Sequence, residues 1–156
     1  MNTIKIGNQE WMQINLAIDD GGEGIHYNPE NKQYYYTWDA AMRIAQSING
    51  WHLPSSEEWN TAAEACGAEV VDNAGMDDPY LRDYECTESL YDALMVLPTG
   101  CFYDGSFRYV GSYAYFWSAT EKTISSAYDR YFGTSNTMDQ RPFYKGCWFS
   151  VRLVKD

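Results

Sequence analysis

The tightest constraint in this chain is a helix start. In Pro54-Ser55-Ser56-Glu57-Glu58, Ser55 and Glu58 stand at capping-box spacing, and Trp59, Ala62, Ala63 and Cys66 follow at i, i+3, i+4 and i+7 before Gly67. A second helix is predicted just upstream, with Thr37 as N-cap, Asp39 in the first turn, and Trp38, Ala41, Met42, Ala45 and Ile48 along one stripe before Gly50. Everywhere else the apolar runs are short. Ile4-Lys5-Ile6, Trp11 to Ile14, Met95-Val96-Leu97, Phe107 to Val110, Tyr115-Phe116-Trp117, Tyr128 to Phe132 and Trp148 to Val154 all read as strands. In the last run Phe149, Val151 and Leu153 alternate with Ser150 and Arg152, the pattern of a half-buried strand, and Asp104-Gly105 marks a hairpin turn. Two early helices and many late strands predict an α+β fold with antiparallel sheets, and 156 residues suit a single domain over 1–156. The acidic stretch from Asp72 to Asp92 reads as a long excursion with one helical turn near Ser89 to Leu94.

Charge narrows the partners. The formal net charge is -11, which disfavours nucleic acid and anionic membranes, and no apolar run approaches the ~20 residues of a membrane-spanning helix. The acid is concentrated between residues 57 and 92, where eleven carboxylates face Arg82 alone, while the C-terminal third is not acidic. The N-terminus has no signal-peptide pattern. Cys66, Cys86, Cys101 and Cys147 match no zinc or C-x-x-C spacing and read as either two disulfides or four buried thiols. No metal and no cofactor is expected. Asp19-Asp20-Gly21-Gly22-Glu23 lacks the alternation of a calcium loop and reads as a solvated turn. His52, just ahead of a helix cap, reads as a structural hydrogen-bonding residue rather than a general base. Trp38, Trp51, Trp59 and Trp117 sit at periodic or motif positions and read as framework, while Tyr34-Tyr35-Tyr36 cannot all face one way.

Six segments, in order, resemble one known family. They are Ile6-Gly7-Asn8-Gln9-Glu10-Trp11-Met12 with Asn15-Leu16; Tyr36-Thr37-Trp38-Asp39-Ala40-Ala41-Met42; Gly50-Trp51-His52-Leu53-Pro54-Ser55 with Glu58-Trp59; Leu97-Pro98-Thr99-Gly100; Gly111 through Glu121; and Phe149-Ser150-Val151-Arg152-Leu153-Val154-Lys155-Asp156. Together they resemble the Fibrobacter succinogenes major paralogous domain, related to the C-type lectin fold. The resemblance implies first and last strands that pair near the termini, two flanking helices, antiparallel sheets and a long loop-rich ligand-binding region. The chain is also similar to variable proteins of diversity-generating retroelements, in which scattered residues near the C-terminus are mutated on a fixed frame. It departs from relatives in carrying Trp148 where many have Gly. The calcium and sugar motifs of lectins are absent, Asn28-Pro29-Glu30 having the reversed order, and the active-site cysteines of formylglycine-generating enzymes have no match.

Tyr (14), Trp (6) and Phe (6) make up 17% of the chain, more Tyr than a core needs. The late stretch concentrates rigid rings and small polar groups in the manner of a paratope: Asp129, Tyr131, Thr134, Asn136, Met138, Arg141, Phe143, Tyr144 and Trp148 are the candidate ligand-binding residues. Tyr131, Phe132 and Phe143 are the ones that could instead pack as loop core. No nucleophile, base and orienting group converge in sequence, so the expectation is a non-enzymatic recognition domain. Its expected ligand is a cell-surface protein or glycan, and its expected setting a cell surface, a secreted form or a phage virion. The alternative is a structural subunit that uses the aromatic face for homo-oligomeric assembly.

Overall fold

The computed structural model describes residues 2–71 and 82–156. Its first half runs β1 (Thr3–Ile6), β2 (Gln9–Met12), β3 (Ile25–Asn28), β4 (Gln33–Tyr36), α1 (Trp38–Ser47), β5 (Trp51–His52), α2 (Ser56–Ala65) and β6 (Glu69–Val70). The second half runs β7 (Tyr84–Glu85), α3 (Glu88–Ala93), β8 (Cys101–Tyr103), β9 (Ser106–Arg108), β10 (Ala114–Glu121), β11 (Ser126–Phe132), β12 (Thr137–Asp139), β13 (Pro142–Tyr144) and β14 (Val154–Lys155). One sheet has the order β1-β2-β14-β5 and a second β10-β11-β12-β7-β6, with β13 added to β11; β3-β4 and β8-β9 are separate hairpins. The strand pairs are antiparallel, as an α+β chain with short connections requires. Among the described residues no helix is long and apolar enough to cross a membrane.

Both predicted helices form where their caps place them. The Thr37 side chain accepts from the Ala40 N–H, and Ser55 and Glu58 make the reciprocal capping box, so each first turn begins with its orphan donors partly satisfied. The stripe of α1 buries Trp38, Ala41, Ile44 and Ala45, and that of α2 buries Trp59, Ala62 and Ala63. They serve different cores because β10 stands between them. Tyr115 and Trp117 point from one face of β10 into the α1 core with Phe149, whereas Ala114 and Phe116 point from the other into the α2 core with Trp59 and Phe132. Trp59 packs on Trp11 at 4.8 Å between ring centroids, and both indole N–H groups lack a partner among the described residues. The Trp38 and Trp117 indoles instead donate to the carbonyls of Ser118 and Tyr36.

The C-terminal segment behaves differently from expectation. The last strand pairs with β2 and β5, not with the first strand, which forms a hairpin with β2. Residues 149–153 are not half-buried: Phe149, Ser150, Val151, Arg152 and Leu153 are each 1% exposed or less. The reason is that this segment threads between the sheets, exchanging backbone hydrogen bonds with Tyr36, with Tyr115 and Trp117 of β10, and with Met12 and Leu16. The polar side chains it buries are therefore paired. Ser150 meets Thr99, and the Arg152 guanidinium donates to Asn15 Oδ1 at 2.7 Å and to the carbonyls of Met12, Leu94 and Met95.

Other expectations shift. Met95-Val96-Leu97 is not a strand but the exit from α3. Tyr35 and Tyr36 are both buried, on opposite faces, and Tyr34 is half-buried. All four cysteines are free thiols, but only Cys101 and Cys147 are buried. Part of the acidic excursion, residues 72–81, lies outside the described residues; the rest supplies β7 and α3, the latter matching the predicted helical turn.

Candidate functional site

The site is built on the β8–β9 hairpin. Its turn, Asp104-Gly105, has φ of +50° and +79°, the two left-handed residues of the tight turn whose twist matches paired strands. The register sets Cys101 opposite Arg108 and Phe102 opposite Phe107, and Phe102 in turn bridges Trp148. Side chains alternate across this small ribbon, so it has two unlike faces. On one, Phe102, Phe107 and Trp148 enclose the His26 ring, which stacks on Phe102 at 4.1 Å. On the other, Cys101, Tyr103, Arg108, Cys147 and Phe149 floor an open cleft of about 420 Å³.

Tyr109, Tyr115, Pro142, Phe143 and Tyr144 complete the cleft walls. Tyr103, Tyr109 and Tyr144 are 49%, 52% and 65% exposed, so three rings are open to a ligand. Tyr109 holds a left-handed backbone at φ +61°, a conformation a bulky residue keeps only when its surroundings impose it. The ring of Tyr144 lies over Gly146, where a Cβ would sit 2.1 Å from its Cε2. Tyr115 is stacked between Tyr131 at 5.4 Å and Phe149 at 5.2 Å, tying the cleft wall to the α1 core.

Arg108 supplies the cationic group of the cleft. Its guanidinium lies 5.4 Å from the Tyr103 ring centroid and donates to the Tyr103 carbonyl, and its ion pair with Asp104 is long, 3.9 Å, and exposed. Burial pushes the Cys101 thiol up to about 12, with the neighbouring Cys147 adding to the shift, and pushes Cys147 up to about 11. Burial likewise raises the Tyr115 and Tyr131 phenols. At neutral pH these four groups are uncharged, and what the cleft presents is ring faces, phenol hydroxyls and one cation.

The nine candidate residues divide. Phe143 and Tyr144 line the cleft, and Tyr131 supports it from behind Tyr115. Trp148 is half-buried on the opposite face of the hairpin, against Phe102 and His26. Thr134 and Asn136 are exposed near the β11–β12 turn and do not line the cleft. Asp129 and Met138 are fully buried and offer a ligand no surface, because β11 and β12 are interior strands of their sheet. Arg141 is engaged internally, its two terminal nitrogens meeting Asp83 at 2.7 and 3.0 Å. Sequence reasoning missed Tyr103, Arg108 and Tyr109. The Asp104-Gly105 turn was the available signal, since a two-residue turn brings its flanking side chains onto one face.

His52 sits away from the cleft, between Asp156 (2.7 Å to Nδ1) and Glu58 (2.9 Å to Nε2), and bridges the last strand to the start of α2. Asp20 of the Asp19–Glu23 turn pairs with Arg43. Glu69, Glu85 and Cys86 gather on an exposed sheet edge.

Neither the curated proteins nor the solved structures include one that matches this chain. A family profile does, and it spans the terminal strands, the three helices and the cleft, covering residues 4–155: the chain belongs to the Fibrobacter succinogenes major domain family.

Proposed function

We propose that this chain is a non-enzymatic recognition domain of C-type-lectin-like architecture, whose aromatic cleft binds a protein or glycan displayed on a cell surface. The observation that carries this reading is the cleft itself: three exposed tyrosines and one arginine on a backbone fixed by two packed cores. Rigid rings contribute contact area at low rotamer cost, and phenol hydroxyls with a single guanidinium add polar selectivity. The protonated, buried thiols favour holding over chemistry. Two helices against antiparallel sheets, with a threaded C-terminal segment, support the lectin-like architecture.

Pro142, Phe143, Tyr144 and Cys147 come from the stretch between the Phe116-Trp117-Ser118 and Phe149-Ser150-Val151-Arg152 blocks, so retroelement diversification would change the wall of the cleft and leave its frame. A near-copy of that coding stretch beside a reverse transcriptase gene is the expected genomic setting. Its absence removes the diversification reading.

The binding test is Tyr144→Ala, screened against glycan arrays and intact cells. Binding should fall at least tenfold while the melting temperature stays within about 2 °C, less than the shift a 1 kcal/mol loss produces in a domain of this size. Unchanged binding, or a melting temperature lowered by several degrees, refutes the role. Self-association is the second reading, favoured by the exposure of Tyr103 and Tyr144 on one cleft. A concentration-independent oligomer that protects both rings supports it over ligand capture.

A further inference from the structure

The floor of the cleft holds a pair of groups that recognition by ring faces does not use. Because Phe102 bridges Trp148, Cys101 falls one step along toward Phe149 and Cys147 one step along toward Tyr103, on the same face of the ladder. Cys101 and Cys147 are therefore diagonal neighbours, both buried, and both line the same cavity. Diagonal positions lie ~7–8 Å apart, beyond the usual Cα separation of a disulfide, so an S–S bond there requires backbone movement. A metal between the sulfurs needs less approach, since two metal–sulfur bonds of ~2.3 Å span ~4.6 Å.

A third acidic group faces the same core. Register places Asp129 on the same face of β11 as Tyr131, opposite Trp117 in β10, and Trp117 packs in the core that contains both thiols. Asp129 is fully buried. Its Oδ1 accepts from the Arg141 N–H, but Oδ2 has no partner among the described residues. Two buried thiols and a buried carboxyl oxygen without a partner thus face one core, a set of groups that accommodates a cation rather than an anion.

We propose that Cys101 and Cys147 form a two-thiolate site for a soft, thiophilic metal cation of the copper(I) class at the floor of the cleft. Thiolate sulfur selects soft cations over calcium or magnesium. On binding, each thiol loses its proton to solvent and each sulfur donates an electron pair to the metal. One monovalent cation and two thiols give a bis-thiolate complex of charge -1 and two released protons, with no change of oxidation state. Arg108, opposite Cys101, offsets the residual negative charge. The site uses the two buried thiols as ligands, whereas the recognition reading rests on the exposed tyrosines and Arg108, so the metal ligands are not the groups offered for recognition.

The test is anaerobic titration of the reduced full chain with copper(I) against a chromophoric chelator. A Cys66→Ser/Cys86→Ser variant should retain one tight equivalent, whereas Cys101→Ser or Cys147→Ser should each weaken it at least 100-fold. Affinity should rise by up to 100-fold per pH unit between pH 6 and 8, because binding one metal releases two protons. Tyr144→Ala should leave metal binding intact, so failure here and failure of ligand recognition are separable. In the unsubstituted chain, one equivalent of copper(I) should shield Cys101 and Cys147 from alkylation after brief denaturant exposure while Cys86 stays reactive, a readout that does not depend on the serine variants folding. Binding that is absent, that follows Cys66 and Cys86, or that survives Cys101→Ser overturns the assignment.

Discussion

Replacing Arg152 with methionine tests whether the threaded segment is held by its buried cation. The guanidinium is 0% exposed, and burial pushes its pKa down to about 10 from an ordinary value of 12.5. That displacement puts the cost of keeping the charge there at roughly 3 kcal/mol, which methionine would recover. Against this, the substitution strands Asn15 Oδ1 and the carbonyls of Met12, Leu94 and Met95. The three carbonyls belong to the backbone and cannot be mutated away. At about 1.5 kcal/mol for each buried acceptor left unsatisfied, toward the low end of the usual range, four acceptors cost about 6 kcal/mol and outweigh the recovered charge, for an expected net loss of about 3 kcal/mol. Urea unfolding should show this as a midpoint lowered by roughly 1–2 M at unchanged slope. Arg152→Lys should fare little better, since one ammonium cannot reach acceptors spread around a planar fork. A methionine variant within about 0.5 kcal/mol of the parent refutes the reasoning and makes the arginine a passenger in an apolar slot.

Two further outcomes concern pH. For His52, burial alone lowers the imidazole pKa, but the hydrogen bonds its ring donates to the Asp156 and Glu58 carboxylates outweigh it and the net shift is upward. Its stabilisation is therefore complete below the unfolded value near 6.5 and is lost as pH rises through the higher folded value. Because the ring is half-exposed, the effect is at most about 1 kcal/mol, and His52→Gln should remove that pH dependence from the difference in melting temperature. For Asp129, burial raises the carboxyl well above its ordinary range despite the Arg141 N–H. Asp129 thus favours the fold at low pH and opposes it increasingly as pH rises from about 4 through its folded value. Asp129→Asn should match the parent in melting temperature at pH 4 and exceed it at pH 8; a variant less stable at pH 8 contradicts the sign.

What could be read from sequence was local. The caps at Thr37 and Ser55, the stripes of both helices and the Asp104-Gly105 turn follow from spacings within a few residues, and all are present. The alternation in Phe149 to Leu153 was real but misleading. It signals a half-buried strand only when one side meets water, and here the segment is covered by partners from distant parts of the chain, Met12, Leu16 and Tyr36 near its start and Tyr115 and Trp117 of β10. The same limitation divided the candidate residues. Asp129 and Tyr131 share β11 and a paratope-like composition, yet the Asp129 carboxyl is fully buried, whereas the Tyr131 ring is half-buried behind Tyr115. Tyr103 and Arg108 were missed because their role depends on where the hairpin docks against Trp148, a contact no nearby residue announces.

The threading of residues 147–155 has a consequence for biosynthesis. A ribosome makes this stretch after all the strands it joins, so the nascent chain waits with Tyr36, Tyr115 and Met12 prepared but unmated. Closing loops of that length is slow, and a product stopped before Phe149 would expose two unfinished apolar interiors. Quality control in the cell should therefore act severely on any product that stops short of Phe149.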